Sequence, residues 1–312
     1  MSMDLLLEKI VEKQNPTVAG LDPKLSYLPA CLLEESFRKY GKNLEGAADA
    51  LLQFNKGLID ALCDVVPAVK PQAAYYEMYG WQGVRTLAET IAYAKEKGMY
   101  VVTDGKRNDI GATMQSYAAA HMGVTELGGE TVEAFGADCL TVNGYLGSDG
   151  IDPLLSVCAS GDKGIFVLVK TSNPSSGELQ DRVLDDGKTL YRTMGEMCEK
   201  WGEKLPGKYG YSGVGAVVGA TYPAQLGELR QQLPHTFFLV PGYGAQGGGA
   251  EDVAPGFDRN GLGALVNSSR GIMCAWQKEE GDGREYAAAA RREALRMRDE
   301  IMARIGTIAL PN

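Results

Sequence analysis

The chain lacks the residues that several large classes of protein depend on. Its 312 residues include only two histidines, and none of its six cysteines forms a CxxC pair. A zinc site, a Ser-His-Asp triad and a disulfide framework each need more of these residues or a closer grouping. We therefore expect no metal site built on histidine or cysteine, and we expect the cysteines to stay reduced in the cytoplasm.

Positive charge and long apolar runs are also scarce. The 31 Lys and Arg residues against 40 Asp and Glu residues give a net charge of −9. This balance opposes binding to nucleic acid or to an anionic membrane, since both need dense basic residues. No stretch approaches the ~20 apolar residues of a membrane span, and the opening MSMDLLLEKI lacks the basic start of a signal peptide. We expect a cytoplasmic protein that holds any anionic ligand with a few placed cations.

What the sequence does contain is a regular alternation of short apolar runs and helical patterns. The predicted strands are Thr17–Leu21, Ala68–Lys70, Met99–Thr103, Cys139–Val142, Gly164–Val169, Val214–Val218, Phe237–Val240 and Ala264–Val266. The predicted helices include Ala47–Cys63, Gly83–Lys97, Asp149–Ala159, Thr189–Trp201, Pro223–Gln232 and Tyr286–Ile305. About eight βα units predict a single α/β domain over residues 1–312, a (β/α)8 TIM barrel. A doubly wound open sheet is the alternative, because strand order cannot be read from one sequence.

Charged residues follow the first three predicted strands. Asp22 follows the first strand, Lys70 ends the second, and the third runs into Asp104, Lys106 and Asp109. Alternation along a strand points Asp104 and Lys106 the same way if the extended geometry persists, and Asp109 then falls where a helix would begin. Lone charges at strand ends are usually solvated. Three consecutive strands that deliver charges to one rim instead favour a shared site, in which opposite charges hold each other ionised.

The loops after the last two strands have the pattern of an anion site. The seventh strand runs into the glycine-rich segment 241–249, and the eighth runs toward Arg270. Glycines let backbone N–H groups approach an oxyanion closely, and these two loops are the habitual phosphate site of this barrel. Arg270 adds a guanidinium that can bind an oxyanion through two hydrogen bonds. A flexible surface loop is the alternative for the glycine run.

Polar residues also follow the fourth and fifth strands. The polar segment Ser172–Gly187 is interpreted as an active-site loop. The hydroxyl and amide groups of residues 170–174 could bind the edge of a planar ligand, and a plain loop is the alternative. Asn143, after the fourth strand, is a weaker candidate of the same kind. The histidines, His121 and His235, fall within or beside helical segments and are not expected to be catalytic.

The segments around these residues resemble those of the orotidine 5′-phosphate decarboxylase family, in its longer bacterial-type group. The matching pieces, in the family's order, are GLDP (20–23), AVKPQAAYYE (68–77), TDGKRNDIGAT (103–113), KTSNP (170–174), VPGYGAQGG (240–248) and SSRGI (268–272). One departure is Asn143-Gly144-Tyr145, where the family has Asn-Pro-Tyr. The resemblance implies a homodimeric (β/α)8 barrel that converts orotidine 5′-monophosphate to uridine 5′-monophosphate in pyrimidine biosynthesis, without a metal or an organic cofactor.

The resemblance also implies the catalytic residues. It places Lys70, Asp104, Lys106 and Asp109 in one charged relay, with Asp109 donated across the dimer interface to the neighbouring subunit's site. Lys106 matches the acid that protonates C6 of the pyrimidine as carbon dioxide leaves. Asp104 would face the substrate carboxylate, and Lys70 matches a residue that also binds the ribose hydroxyls.

The binding residues follow from the same resemblance. Asp22 matches a second ribose-binding residue, and Thr113 is implied to help from the partner subunit. Ser172 matches the residue that binds the amide edge of the pyrimidine. Gln246 and Arg270 match the contacts to the phosphate.

Three other functions remain open at this point. Magnesium-dependent sugar-phosphate decarboxylases and aldol-type synthases share the DxKxxD pattern, but they place an acid on the second strand, where this chain has Lys70. A Schiff-base aldolase would use Lys70 or Lys106 as its amine. A non-catalytic barrel that binds a phosphate ligand is the third alternative, although it would not need alternating lysines and aspartates.

Overall fold

The parallel strands of the chain close into a barrel. A computed structural model describes residues 2–244 and 247–311. Within these residues the barrel strands are β1 (Thr17–Leu21), β2 (Ala68–Pro71), β3 (Tyr100–Arg107), β4 (Cys139–Val142), β5 (Gly164–Lys170), β6 (Val214–Val218), β7 (Phe238–Val240) and β8 (Ala264–Ser268). Each strand pairs in parallel with the next, and β8 pairs with β1 through Thr17 and Val266. The predicted (β/α)8 barrel is confirmed, and the open sheet is wrong.

Helices alternate with the strands and cover the outside of the barrel. They are α1 (Ser2–Lys13), α2 (Ala30–Tyr40), α3 (Leu44–Leu62), α4 (Ala74–Glu77), α5 (Gly80–Glu96), α6 (Gly111–His121), α7 (Ser148–Gly161), α8 (Leu190–Gly202), α9 (Pro223–Gln232), α10 (Ala250–Val253), α11 (Arg270–Met273) and α12 (Tyr286–Ile305). Short 3-10 turns span Leu25–Tyr27, Pro174–Glu178, Ala254–Gly256 and Ala275–Lys278. None of the helices in the described part of the chain is long and apolar enough to cross a membrane.

Most strand residues are apolar because both faces of the barrel sheet are covered. Every residue of β1, β4 and β6 is buried, as expected for a parallel sheet with helices outside and packed side chains inside. These three strands have the predicted bounds. The third strand is longer than predicted, because it continues through the charged segment to Arg107.

The bottom of the barrel is closed by α1, a helix that was not predicted. Met3, Leu6, Leu7 and Ile10 have no exposed surface and pack against strand residues such as Val18. Their spacing is that of one helix face. The buried apolar face of α1 therefore closes the lower end of the barrel, and no second chain is needed there.

A β-hairpin was also not predicted. Its antiparallel strands are Thr125–Leu127 and Glu130–Val132, joined at Gly128 and Gly129. Both glycines have positive φ angles, which a tight hairpin turn requires. The hairpin is exposed and stands outside the barrel.

Candidate active site

A cavity of about 750 Å³ opens among the carboxyl ends of the strands. Its volume falls within the range of small-molecule sites. Its lining residues are Asp22, Tyr27, Lys70, Tyr75, Asp104, Lys106, Thr141, Leu168, Thr171, Ser172, Asn173, Gln180, Val217, Leu239, Pro241, Gly242, Tyr243, Asn267, Ser269, Arg270 and Met273. The structure therefore brings together six of the nine predicted site residues, from β1, β2, β3 and the loops after β5 and β8.

Two lysines bind the two oxygens of one aspartate on the wall of this cavity. Lys70 Nζ donates to Asp104 Oδ2 at 2.5 Å, and Lys106 Nζ donates to Asp104 Oδ1 at 2.5 Å. Lys70 and Asp104 are buried, whereas the Lys106 side chain is 45% exposed. The exposed ammonium is thus the one that a ligand can reach, and the buried pair fixes it from below.

The charges of this cluster reinforce one another. Burial by itself would raise the pKa of Asp104, but the charges of Lys70 and Lys106 and their hydrogen bonds hold that pKa below its usual value. Burial would likewise lower the pKa of Lys70, yet the charges of Asp104 and Asp22 outweigh it and raise the pKa. At neutral pH the buried lysine and aspartate are therefore both ionised.

The end of β3 is irregular at Lys106, so the regular alternation on which the predicted meeting of Asp104 and Lys106 depended does not hold there. Lys106 has a φ of 47°, in the left-handed region that residues other than glycine, asparagine and aspartate seldom adopt. The pairing of β3 with β4 shifts register between Thr103 and Arg107. The two side chains meet at this irregular end of β3.

Asp22 and Ser172 face the cavity from opposite sides of the barrel. Asp22 Oδ1 is buried and has no hydrogen-bond partner among residues 2–244 and 247–311, so it can accept a bond from a ligand. The loop that carries Ser172 crosses very close to Gly219, where an added Cβ would lie 2.8 Å from the Ser172 Cβ. A glycine at this position lets the loop reach the cavity.

The expected phosphate region lies after β7 and β8. Arg270 is the first residue of α11 and lines the cavity together with Gly242. Gly242 and Gly244 have φ angles of 102° and 71°, which glycine adopts without strain. Gln246, the other predicted phosphate contact, lies outside the described residues.

Two predicted residues are not in the cavity of their own chain. Neither Asp109 nor Thr113 is among the described residues that line it. Asp109 Oδ1 accepts a hydrogen bond from the Ile110 N–H at 2.8 Å, and α6 begins two residues later at Gly111. Thr113 is exposed on the first turn of that helix. Asp109 thus precedes the helix, close to its expected position, but does not line the cavity that Lys106 lines.

Two polar residues at the ends of β4 and β5 support the loops that follow these strands. Lys170 is fully buried, donates to Asp181 Oδ1 at 2.7 Å and lies 4.3 Å from the centre of the Tyr222 ring. It therefore anchors the loop after β5 and does not line the cavity. Asn143 Oδ1 accepts from the Tyr145 N–H, also outside the cavity lining as described.

Neither histidine is among the described residues that line the cavity. His121 lies in α6 and stacks on Phe135, and burial lowers its pKa to about 4. His235 follows α9 and contacts the Gly210 carbonyl oxygen. Across the described part of the chain, no three His, Cys, Asp or Glu residues are grouped so that they could hold a metal ion.

Several lining residues were not predicted from the sequence. Thr141 and Asn267 lie within β4 and β8, where polar residues near the end of an apolar run were the only signal. Tyr27 and Tyr75 lie on short helical turns after β1 and β2. Such turns have no hydrophobic period, so only the folded chain identifies these residues.

The fold and the site together define a class of protein. This is a (β/α)8-barrel enzyme with a lysine–aspartate cluster on the wall of a cavity at the carboxyl ends of the strands. A family model described as Orotidine 5′-phosphate decarboxylase / HUMPS family matches residues 47–282. The chain belongs to this family.

Individual relatives agree with the family model over nearly the whole chain. The orotidine 5′-phosphate decarboxylase of Rhodopirellula baltica is 45% identical over 296 residues, covering 94% of this chain and 96% of the relative. That of Clostridium perfringens is 42% identical, covering 96% and 98%. The solved structure of Leishmania donovani OMP decarboxylase has a TM-score of 0.70 at 31% identity, covering 96% and 99%.

Proposed function

We propose that Lys106 is the proton donor with which this chain decarboxylates orotidine 5′-monophosphate to uridine 5′-monophosphate. The reaction breaks the bond between C6 and the carboxylate carbon and leaves an electron pair on C6. The observation that best supports this role is the half-exposed Lys106 ammonium, which lies 2.5 Å from Asp104 on the cavity wall. A fixed ammonium beside C6 stabilises the developing charge and then supplies the proton. The chain is thus a carbon–carbon lyase of pyrimidine biosynthesis.

Asp104 and Lys70 set the electrostatics of this step. The low pKa of Asp104 keeps it ionised opposite the substrate carboxylate. Two carboxylates ~4 Å apart repel by ~4 kcal/mol at an effective dielectric of 20, and this repulsion ends when carbon dioxide leaves. Lys70 holds Asp104 in place through the second oxygen.

The remaining cavity residues bind the nucleotide. Asp22, with its buried unpartnered oxygen, accepts from the ribose hydroxyls, and Ser172 binds the amide edge of the pyrimidine. Arg270 and Gln246 bind the phosphate. Because the phosphate is remote from C6, its binding energy can order the loops around the reacting atoms.

A second copy of the chain completes the site in this proposal. Asp109 and Thr113 then reach the neighbouring subunit's Lys70–Asp104–Lys106 cluster. The surface beside Asp109 supports this, because the apolar Ile110 and Leu146 are exposed. The Leu146 Cβ and the Asp109 backbone carbonyl oxygen both lie close to Gly150, so this apolar surface adjoins the backbone of Asp109. A two-fold dimer would cover both at once.

The reaction is proposed to need no metal and no organic cofactor, in one domain over residues 1–312 acting in the cytoplasm. Lys70 occupies the strand-two position where the magnesium-dependent relatives need an acid, and a cation repels Mg²⁺. The raised pKa of Lys70 also opposes a Schiff-base role, since the amine must be neutral to attack a carbonyl. The lysine–aspartate array is unnecessary for mere phosphate binding.

The direct test uses purified protein treated exhaustively with EDTA. Added orotidine 5′-monophosphate is expected to lose its orotate ultraviolet absorbance, with uridine 5′-monophosphate as product, at the same rate as with untreated protein. Activity that disappears with EDTA and returns with Mg²⁺ would contradict the proposal and favour the sugar-phosphate enzymes. Trapping of a carbonyl substrate by borohydride would favour the aldolase.

A further inference from the structure

The hydroxyl of one threonine is hydrogen-bonded to both Asp104 and Lys106. Thr141, in β4, donates from Oγ1 to Asp104 Oδ1 at 2.8 Å and accepts from the Lys106 backbone N–H at 3.1 Å. A hydroxyl has one proton to donate, and here that proton is committed to Asp104. Thr141 is 1% exposed, so water cannot replace these two bonds easily.

The hydrogen bond from the Lys106 N–H to Thr141 lies where the backbone is strained. Lys106 has left-handed φ, although it carries a long side chain. Such a conformation persists only where the surroundings determine it. The Thr141 hydroxyl holds the Lys106 N–H at the register shift between β3 and β4. It also holds the oxygen of Asp104 to which the Lys106 ammonium binds.

We propose that Thr141 is a positioning residue, whose hydroxyl fixes both the backbone and the ammonium of Lys106 relative to Asp104. This inference rests on the proposed role of Lys106 in the decarboxylation. It adds a residue from a different strand that acts through Lys106. Because the ammonium is needed most when charge develops on C6, loss of the hydroxyl lowers kcat more than it raises KM.

The chain offers a matched control in the neighbouring strand. Thr103, in β3, is also fully buried, and its Oγ1 has no hydrogen-bond partner within the part of the chain that the structure describes. Thr103→Val and Thr141→Val make the same change of shape and polarity in adjacent strands. Only Thr141→Val removes the hydrogen bonds to Asp104 and to the Lys106 N–H.

The kinetic test compares Thr141→Val, Thr141→Ser and Thr103→Val with the wild type, each normalised to sites that bind uridine 5′-monophosphate. Thr141→Val is expected to lower kcat at least tenfold, equal to about 1.4 kcal/mol, with KM within about threefold. Thr141→Ser keeps the hydroxyl and should stay within about threefold of wild type in kcat. Thr103→Val should be unchanged. An unaltered kcat in Thr141→Val, or equal losses in the Val and Ser variants, would overturn the inference.

A crystal structure of Thr141→Val supplies a readout independent of activity. Lys106 is expected to leave the left-handed region, and its ammonium to move away from Asp104. An unchanged Lys106 would overturn the inference even if kcat falls. If instead the wild type fails to turn over orotidine 5′-monophosphate while Lys106 moves in the variant, the proposed function is wrong and the positioning contact stands.

Discussion

The two ends of the barrel are built in opposite ways. At the base, α1 inserts Leu7 and Ile10 into a region without exposed surface, next to Phe166 and Phe237. At the mouth, the strands present charges around an open cavity, and Lys106 is partly exposed. The base is stabilised by apolar burial, whereas the mouth is held by ion pairs and hydrogen bonds that a ligand can join.

The ends also differ in what completes them. The base is closed by a helix of the same chain. The mouth has two predicted residues, Asp109 and Thr113, that do not line their own chain's cavity as described. Stability and chemistry therefore depend on different ends of this molecule, and we expect the mouth, unlike the base, to need a second copy of the chain.

The largest effect is expected at the mouth, for Lys106→Ala. Turnover should fall by far more than tenfold, a barrier increase well above ~1.4 kcal/mol, because the group that stabilises and protonates C6 is gone. Binding of uridine 5′-monophosphate and the thermal midpoint should stay close to wild type. Steady-state kinetics and calorimetry measure these quantities.

A lysine at the base gives the matched control. Lys208 Nζ is 2.6 Å from Glu8 Oε1, another exposed lysine paired with a carboxylate. Lys208→Ala should leave kcat unchanged. If Lys106→Ala keeps more than about a tenth of wild-type kcat, a loss under ~1.4 kcal/mol, Lys106 is not in the mechanism.

The next effect is on stability, at the base. Leu7→Ala leaves a cavity in a fully buried site and should lower the free energy of unfolding by about 2–5 kcal/mol. Its kcat per folded molecule should match wild type, because α1 does not touch the mouth. Denaturant unfolding and active-site titration test the two halves of this statement.

Leu5 lies on the same helix and is 42% exposed, so Leu5→Ala serves as its control and should cost less than about 1 kcal/mol. A loss of kcat in Leu7→Ala without loss of stability would show that the two ends are coupled.

A smaller effect is expected from Arg270→Ala, which changes the mouth far from C6. Loss of a charge-assisted contact should lower kcat/KM for the nucleotide, with a loss of transition-state stabilisation of about 2 kcal/mol. It should also weaken binding of uridine 5′-monophosphate. Turnover of a substrate without the phosphate should hardly change. Equal damage to both substrates would assign Arg270 to structure or chemistry instead of phosphate binding.

The sequence predicted the barrel well because its strands are short apolar runs between clear turns. β1, β4 and β6 were predicted at their observed bounds. The helix at the base was missed, although Met3, Leu6, Leu7 and Ile10 have helical spacing. The Gly128-Gly129 turn was also a readable hairpin signal. Both elements could therefore have been predicted from the sequence, because the helical spacing and the Gly-Gly turn are visible in it.

For the mouth, the sequence predicted which residues come together but not the backbone conformation that they adopt. The charged residues after β1, β2 and β3 were expected to meet, and Asp22, Lys70, Asp104 and Lys106 do line one cavity. The left-handed turn at Lys106 could not be read from the sequence, because tertiary contacts such as that of Thr141 impose it against the residue's own preference.

The central claim is that the mouth is completed by a second copy of the chain. It is tested most directly by mixing the inactive variants Asp109→Ala and Lys106→Ala under subunit exchange, with differential tags to confirm heterodimers. One site of each heterodimer then has both defects, and the other has the Lys106 and the Asp109 that it needs. About half of wild-type activity per heterodimer should return, whereas mixing Lys106→Ala with Asp104→Ala should restore nothing, since those residues serve the same subunit's site. Heterodimers of Asp109→Ala and Lys106→Ala that form and stay inactive would contradict the claim.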